Sequence, residues 1–258
     1  MDVFVLWFAF RRPINPRTVL RRLRVVGIKP YRPKNGYILT NRHKAVRLNW
    51  AQEHARWTRR QWGSVVFSDE SKFNVHHHDG RIRVFRSKGE RFQDSCVSKV
   101  NRGGGGSVHV WAGISQFNKT ELVVLHGNVT ARSYIDNVLR PVLLPFLRDN
   151  FRGRNPIFQQ DNAPAHRAHL TTNFLRENAV ECLKWPALSP DMSPIEDVWD
   201  ELGRRLRSLR NPPRTVNELT ESLIGVWNGI PQDTIANLVL SMRRIFFLVW
   251  VLRLCSTI

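Results

Sequence analysis

Apolar positions along the chain switch from helical spacing to alternation and back again. Between Pro16 and Val26 the apolar residues Val19, Leu20, Leu23 and Val26 recur at helical intervals, and Arg17, Arg21, Arg22 and Arg24 occupy the remaining positions. Asn15 can cap this helix, Pro16 suits its first position and Gly27 can end it. Residues 28–39 form a basic linker broken by Pro and Gly. Thr40 then caps a longer predicted helix from Asn41 to about Thr58, with Val46, Trp50 and Trp57 on one side. From Val65 the texture becomes that of strands. The stretches 65–75 and 81–88 flank Asp79-Gly80, a hairpin signal. Ser107 to Ile114 and Glu121 to Leu125 read as further strands, and Pro156 to Gln159 as a short one. A helix from about Ala131 to Leu147 is expected to bend at Pro141 and Pro145, and further helices fall near 164–177, 194–208, 215–228 and 231–243. Strands followed by strand–helix alternation predict an α/β fold, a mixed sheet flanked by helices.

Charge changes this picture more than composition does. The 258 residues include 40 Lys+Arg against 21 Asp+Glu, a formal net charge of +19. Residues 1–65 hold 15 of those basic residues against only Asp2 and Glu53, a local net of +13. A basic arm ahead of a milder body points to a polyanionic partner. The arm's candidate DNA contacts are Arg17, Arg21, Arg22, Arg24, Lys29, Arg32 and Lys34. The predicted organisation is a basic helical segment over 1–62, a catalytic α/β domain over 63–244 and an apolar tail over 245–258. Cys96, Cys182 and Cys255 are far apart and lack metal-ligand spacing, which fits a reducing compartment. The apolar runs Val3 to Phe10 and Ile245 to Leu252 are much shorter than the roughly 18 residues of a membrane span, so no membrane partner is expected.

Carboxylates carry the candidate chemistry. Asp69 ends an apolar strand run, Asp161 directly follows another strand, and Glu196 lies early in a predicted helix. Carboxylates at the ends of neighbouring strands, joined by a third from a helix, can converge on one point. Hard oxygen donors without a Cys or His set suit Mg²⁺ or Mn²⁺. Two such ions, about 3.5–4 Å apart, support phosphodiester cleavage. Competing assignments exist. Ser193-Pro-Ile-Glu196 has the form of a capping box, which would give Glu196 a structural task. Asp197, Asp200 and Glu201 are rival third carboxylates, and the apolar stripe Ile195, Val198, Trp199, Leu202 and Leu206 leaves Glu196 and Asp200 on one face. Asp69 and Glu70 are neighbours on a strand, so only one of them is expected to enter the site.

The segments FSDESKF (67–73), DGRIRVFRSKGERF (79–92), VWAGIS (110–115), QQDNAPAH (159–166) and WPALSPDMSPIEDVWDELGRR (185–205) resemble transposases of the Tc/mariner superfamily. Their order and the 34 residues separating Asp161 from Glu196 match the Asp-Asp-Glu signature of its Tc-type branch. The resemblance spans residues 15–244. It implies a ribonuclease-H-like fold preceded by helix-turn-helix DNA-binding modules, of which a short helical remnant is present here. It also implies that Asp69, Asp161 and Glu196 form a metal-binding catalytic triad using Mg²⁺ or Mn²⁺, with Asn162 and His166 shaping the site. A structural task for His166 stays open. The implied partners are double-stranded DNA, at terminal inverted repeats and TA target sites, and a second copy of the chain; the implied location is the nucleus.

Other features weigh less. His76, His77 and His78 precede the Asp79-Gly80 turn and read as an exposed loop. Gly103 to Gly106 lacks a following Gly-Lys-Ser/Thr, so a flexible connection is expected there and not a phosphate loop. The opening MDVFVLWFAF and the closing IFFLVWVLRLCSTI match nothing in the family pattern, so the expectation is a copy altered at both termini and defective in autonomous transposition. A non-catalytic DNA-binding remnant is the rival reading.

Overall fold

The computed structural model describes residues 39–75 and 106–242, together with Thr18, Arg21 and Arg22. Contacts divide the chain into Met1–Ile38 and Leu39–Ile258. In the first unit Thr18, Arg21 and Arg22 are helical and both arginines are exposed, in keeping with the helix expected there. Arg17, Arg24, Lys29, Arg32 and Lys34 lie outside the described residues, as do the Asp79-Gly80 hairpin, His76–His78, Gly103–Gly105 and the 245–258 tail.

The second unit is built on one five-stranded sheet, with strands β1 Val65–Asn74, β2 Ser107–Ile114, β3 Val123–Leu125, β4 Ile157–Gln159 and β5 Glu181–Cys182. Their spatial order is β3-β2-β1-β4-β5. β1 pairs antiparallel with β2 and parallel with β4; β3 is antiparallel to β2 and β5 parallel to β4. The sheet is therefore mixed, as the alternation of elements predicts. Successive residues of a strand face opposite ways, and the sheet separates two cores accordingly. Val65, Phe67 and Phe73 join Val108, Val110, Ala112 and Ile114 in one core. Val66, Trp111 and Phe158 join the other.

Helices cover both faces. α1 Asn41–His54 and α2 Arg59–Gly63 precede the sheet, with Thr40 and Thr58 as their N-caps, each in a reciprocal capping box. Next come α3 Ala131–Tyr134, a π-helical stretch Ile135–Leu143 and α4 Leu144–Asn150. Where the proline bends are expected, the helix widens its turn over Ile135–Leu143. Pro141 has no amide hydrogen to offer an i→i−4 bond, and the i→i−5 register, seen where the Leu144 amide donates to the Leu139 carbonyl, takes it in. This stretch buries Ile135, Val138, Leu139, Val142 and Leu143 in the second core. α5 Pro164–Arg167 and α6 His169–Glu177 follow β4, broken at Ala168. α7 Pro194–Arg207 and α8 Val216–Asn228 pack in the first core, and residues 232–242 form a further helix, α9. No helix among the described residues is long and apolar enough to cross a membrane.

One side of α1 differs from its expected apolar stripe. Trp50 is buried and Trp57 partly buried, but Val46 is 48% exposed and Arg47 is buried in its place. The reason is a partner distant in sequence. Arg47 donates to both carboxylate oxygens of Asp191, at 2.7 and 2.5 Å, and to the Leu188 carbonyl at 2.9 Å. Leu188 has a φ of 53°, a left-handed conformation unfavourable for a branched side chain. The guanidinium thus braces a strained turn just ahead of α7. Removing Asp191 would strand a buried cation, whereas removing Arg47 strands a carboxylate that is 58% exposed. Asp191→Ala is therefore expected to cost about 3 kcal/mol. Arg47→Met, which keeps the stem's packing, is expected to cost about 1–2 kcal/mol. Urea unfolding of the two variants checks the order.

Candidate active site

The site begins where β1 stops being apolar. Val65, Val66 and Phe67 are fully buried, and the next three residues are Ser68, Asp69 and Glu70. In register with β2, Asp69 lies opposite Ala112 and Glu70 opposite Trp111. Strand alternation gives Asp69 to the α7 face, where the Trp199 indole N–H donates to its Oδ2 at 3.1 Å. Glu70 goes to the other face, where its Oε1 accepts from His166 Nε2 at 3.2 Å.

β4 brings Asp161 alongside. Gln159, the last residue of β4, pairs with Phe67, so Asp161 lies two residues past that pair on its chain as Asp69 does on β1. The Ser68 hydroxyl ties the two strands together by donating to the Gln159 carbonyl at 2.8 Å. Asp161 Oδ1 accepts from the Ala163 amide at 2.8 Å and from His166 Nδ1 at 2.7 Å. His166 is 3% exposed, and its ring lies 4.4 Å from that of the fully buried Tyr134. The Tyr134 hydroxyl donates to Gln160 Oε1 at 3.1 Å, holding the residue before Asp161. Asn162 donates to the Trp185 carbonyl at 2.9 Å, so it ties its loop to the segment leading to α7.

Glu196 sits in the first turn of α7, half-buried. The capping box expected around it does not form. Ser193 is the N-cap but makes no side-chain cap bond, and its Oγ is buried without a partner. Ser193 is turned into the protein, and Glu196 is relieved of capping. Of the rival carboxylates, Glu201 is committed to Arg204 and Arg205. Asp197 and Asp200 are exposed.

Burial and like charge set the electrostatics. Asp69 is pushed up to about 8, first by burial and then by Glu196 and Glu70, against the opposing Trp199 bond. Glu196 is raised by burial, then by Asp200 and Asp197. His166 moves the opposite way to burial's effect: burial lowers it, but the Asp161 and Glu70 bonds and charges lift it to about 9. Asp161 is lowered, because the His166 and Ala163 bonds outweigh its burial.

Glu196 thus bears on Asp69 from the α7 side of the sheet, while Asp161 is bound to His166. Among the described residues no three His, Cys, Asp or Glu side chains are close enough to hold one ion together. Sequence reasoning missed Glu70, Tyr134 and Trp199 as parts of the site. His166, five residues beyond Asp161, was the available signal for a second acidic partner. A separate cavity of about 550 Å³, lined by Arg59, Arg60 and Arg154, lies by the start of β1 and of β4, at the other end of these strands.

Comparison with known proteins gives this geometry a lineage. The DDE superfamily endonuclease family matches residues 64–220, and a transposase helix-turn-helix family matches residues 11–56. The transposase of the transposable element Tcb1 from Caenorhabditis briggsae is 36% identical over 228 residues, covering 88% of this chain and 82% of that protein. The chain belongs to the DDE superfamily of transposases. The Tc1 transposase of Caenorhabditis elegans is 34% identical and covers 89% of this transposase, which spans 83% of that protein. The crystal structure of the catalytic domain of Mos1 mariner transposase shares the fold at 16% identity, with a TM-score of 0.64, covering 84% of this chain and 97% of that domain. The ribonuclease-H-like sheet expected from the sequence is therefore present, and the transposase is a DNA endonuclease by family.

The shifted groups predict how stability responds to pH. Asp69 and His166 are both raised in the folded state. Each contribution is full below the unfolded pKa, near 3.8 and 6.5, and is lost as pH rises through about 8 and about 9. Asp161 is lowered, so its contribution is present at neutral pH and lost in acid. The metal-free transposase should therefore lose stability from pH 4 to 9. Asp69→Asn should remove the part lost by pH 8, a gain on the order of 5 kcal/mol there, and leave the His166 part. Urea midpoints at pH 5, 7 and 9 measure both.

Proposed function

We propose that this transposase cleaves DNA at the terminal inverted repeats of its element and joins the freed end to target DNA at TA sites, with Asp69, Asp161 and Glu196 as the carboxylates that hold two divalent cations. The observation that carries this reading is the half-buried Asp69, whose carboxyl is pushed up to about 8, first by desolvation and then by the charge of Glu196. Two carboxylates that repel each other in a half-buried site are stabilised by a cation. Their donors are hard oxygens, which fit Mg²⁺ or Mn²⁺. Solved structures of the Mos1 catalytic domain are described with Mg and with Mn. Bound cations would supply charge stabilisation to the attacking and leaving oxygens of the phosphodiester.

The protein's own groups have separable tasks. Trp199 orients Asp69 through Oδ2, and Ala163 and His166 orient Asp161 through Oδ1. Glu196, freed from capping, presents its carboxylate from the first turn of α7. Water is the first nucleophile and displaces the 3′ oxygen of the cleaved strand. The 3′ hydroxyl so formed attacks a target phosphodiester, so no bond to the protein is required.

Substrate is held by the basic arm. Arg21 and Arg22 are exposed on a helix within the stretch matched by the transposase helix-turn-helix family. Helix-borne arginines contact phosphates and position a duplex. Related structures of Mos1 transposase are described as paired-end complexes, one with the left transposon end. We extend this to a homodimer working on two DNA ends in the nucleus.

Asp69→Asn, Asp161→Asn and Glu196→Gln should each abolish Mg²⁺-dependent nicking of a duplex carrying the inverted repeat, and Asp200→Asn should have little effect. Persistent nicking in Glu196→Gln with loss in Asp200→Asn would move the third ligand. Absence of nicking in the unmodified chain, with DNA binding intact, would favour a non-catalytic remnant. DNA binding itself should be strongly salt-dependent. A chain making roughly 6–10 phosphate contacts loses about 10³–10⁵ in affinity between 50 and 200 mM salt, and a fluorescence-anisotropy titration would read the slope.

A further inference from the structure

We infer that Glu70 is a positioning residue for Asp161, acting through His166. The inference rests on the reading of Asp161 as a cation ligand and adds a residue to it. His166 is almost completely buried, and each of its ring nitrogens meets a carboxylate oxygen. Nδ1 lies 2.7 Å from Asp161 Oδ1 and Nε2 lies 3.2 Å from Glu70 Oε1. Turning the ring over would put carbons against both carboxylates, so this pair of bonds allows one orientation. The neighbouring Tyr134 ring packs against the imidazole.

The two carboxylates differ in how firmly the backbone holds them. Glu70 lies inside β1, the central strand of the sheet, and is held in register opposite Trp111 of β2. Asp161 lies beyond the end of β4, in the connection to the four-residue α5. His166 therefore anchors a loop carboxylate to a strand carboxylate. Both hydrogen bonds to Asp161, from His166 and from Ala163, fall on Oδ1, which leaves Oδ2 as the oxygen for another ligand. Removing Glu70 deletes the outer bond of the chain, so the imidazole can tilt and Asp161 loses its fixed aim. Groups that orient a ligand in this way typically change metal affinity or activity by about 10–100-fold.

The test uses the full chain and Mn²⁺ alone as the probe, with calorimetric titration and nicking kinetics as readouts. Glu70→Ala should weaken Mn²⁺ binding by about 10–100-fold and lower kcat at a fixed Mn²⁺ concentration, while KM for duplex DNA stays as in the unmodified protein. Glu70→Gln should recover most of the affinity, because its amide oxygen can still accept from Nε2. Unchanged Mn²⁺ affinity in Glu70→Ala, alongside a loss in Asp161→Asn, would overturn the inference. So would a Glu70→Gln variant as weak as Glu70→Ala, since charge and not positioning would then be the cause. Asp161→Asn binding Mn²⁺ as well as the unmodified chain would instead overturn the ligand reading of Asp161. Should Glu70→Ala fail to fold, Glu70→Asp shortens the arm by one methylene; weaker Mn²⁺ binding is expected, and unchanged binding overturns the inference.

Discussion

A central strand buried on both faces has to carry two adjacent carboxylates, and much of the site follows from that constraint. β1 fills both cores with Val65, Val66 and Phe67 and two residues later presents Asp69 to one layer and Glu70 to the other. Each layer must answer a charge at its margin. The α7 layer offers Asp69 an indole N–H, but desolvation and then the charges of Glu196 and Glu70 outweigh it and push the carboxyl up to about 8. On the other face α5 offers Glu70 the His166 imidazole, which also takes up Asp161. One face is electrostatically satisfied within the protein, and the other is left short of positive charge. That asymmetry is costly for a fold whose only task is stability, and it is what a cation-dependent site requires.

The parts of this arrangement that depend on local chemistry were legible in the sequence. Thr40 caps its helix, β1 and β2 end within a residue of the stretches expected for them, and α7 follows its stripe at Ile195, Val198, Trp199, Leu202 and Leu206. What escaped depends on partners far along the chain. Val46 satisfied the helical period, but Asp191, 144 residues beyond Arg47, recruits the neighbouring arginine into the buried position. Ser193 had the spacing of a capping box, but the packing that buries its Oγ lies outside any local rule. Pro141 marked an irregularity in its helix, but the sequence does not show that nine residues there adopt a wider helical register.

The candidate site divides along the same line. Asp69, Asp161 and Glu196 were visible as carboxylates breaking apolar patterns at strand and helix ends. Glu70 was set aside because alternation sends it to the face opposite Asp69, and that placement is correct. The missing knowledge was that β4 lies beside β1 in parallel, bringing the Asp161 loop and His166 to the face Glu70 occupies. A residue excluded from one side of a sheet can still serve a site formed at the sheet's end, because loops leaving the neighbouring strand reach around to both faces.

The same topology blurs the boundary between recognition and catalysis. The helix-turn-helix match runs to residue 56 and so includes α1, yet α1 belongs to the second unit and packs in its core. Trp50 of α1 donates to the Lys184 carbonyl, and its ring meets Trp185 edge-on at 4.9 Å. The Trp185 carbonyl accepts from Asn162, the residue after Asp161. On the same helix Arg47 grips the turn at Leu188 and Asp191 that feeds into α7 and Glu196. α1 therefore touches the supports of two of the three carboxylates without approaching the site itself. A rigid helix in that place fixes Asp161's loop and Glu196's helix against a common frame. A shift in α1 would therefore bear on both supports at once.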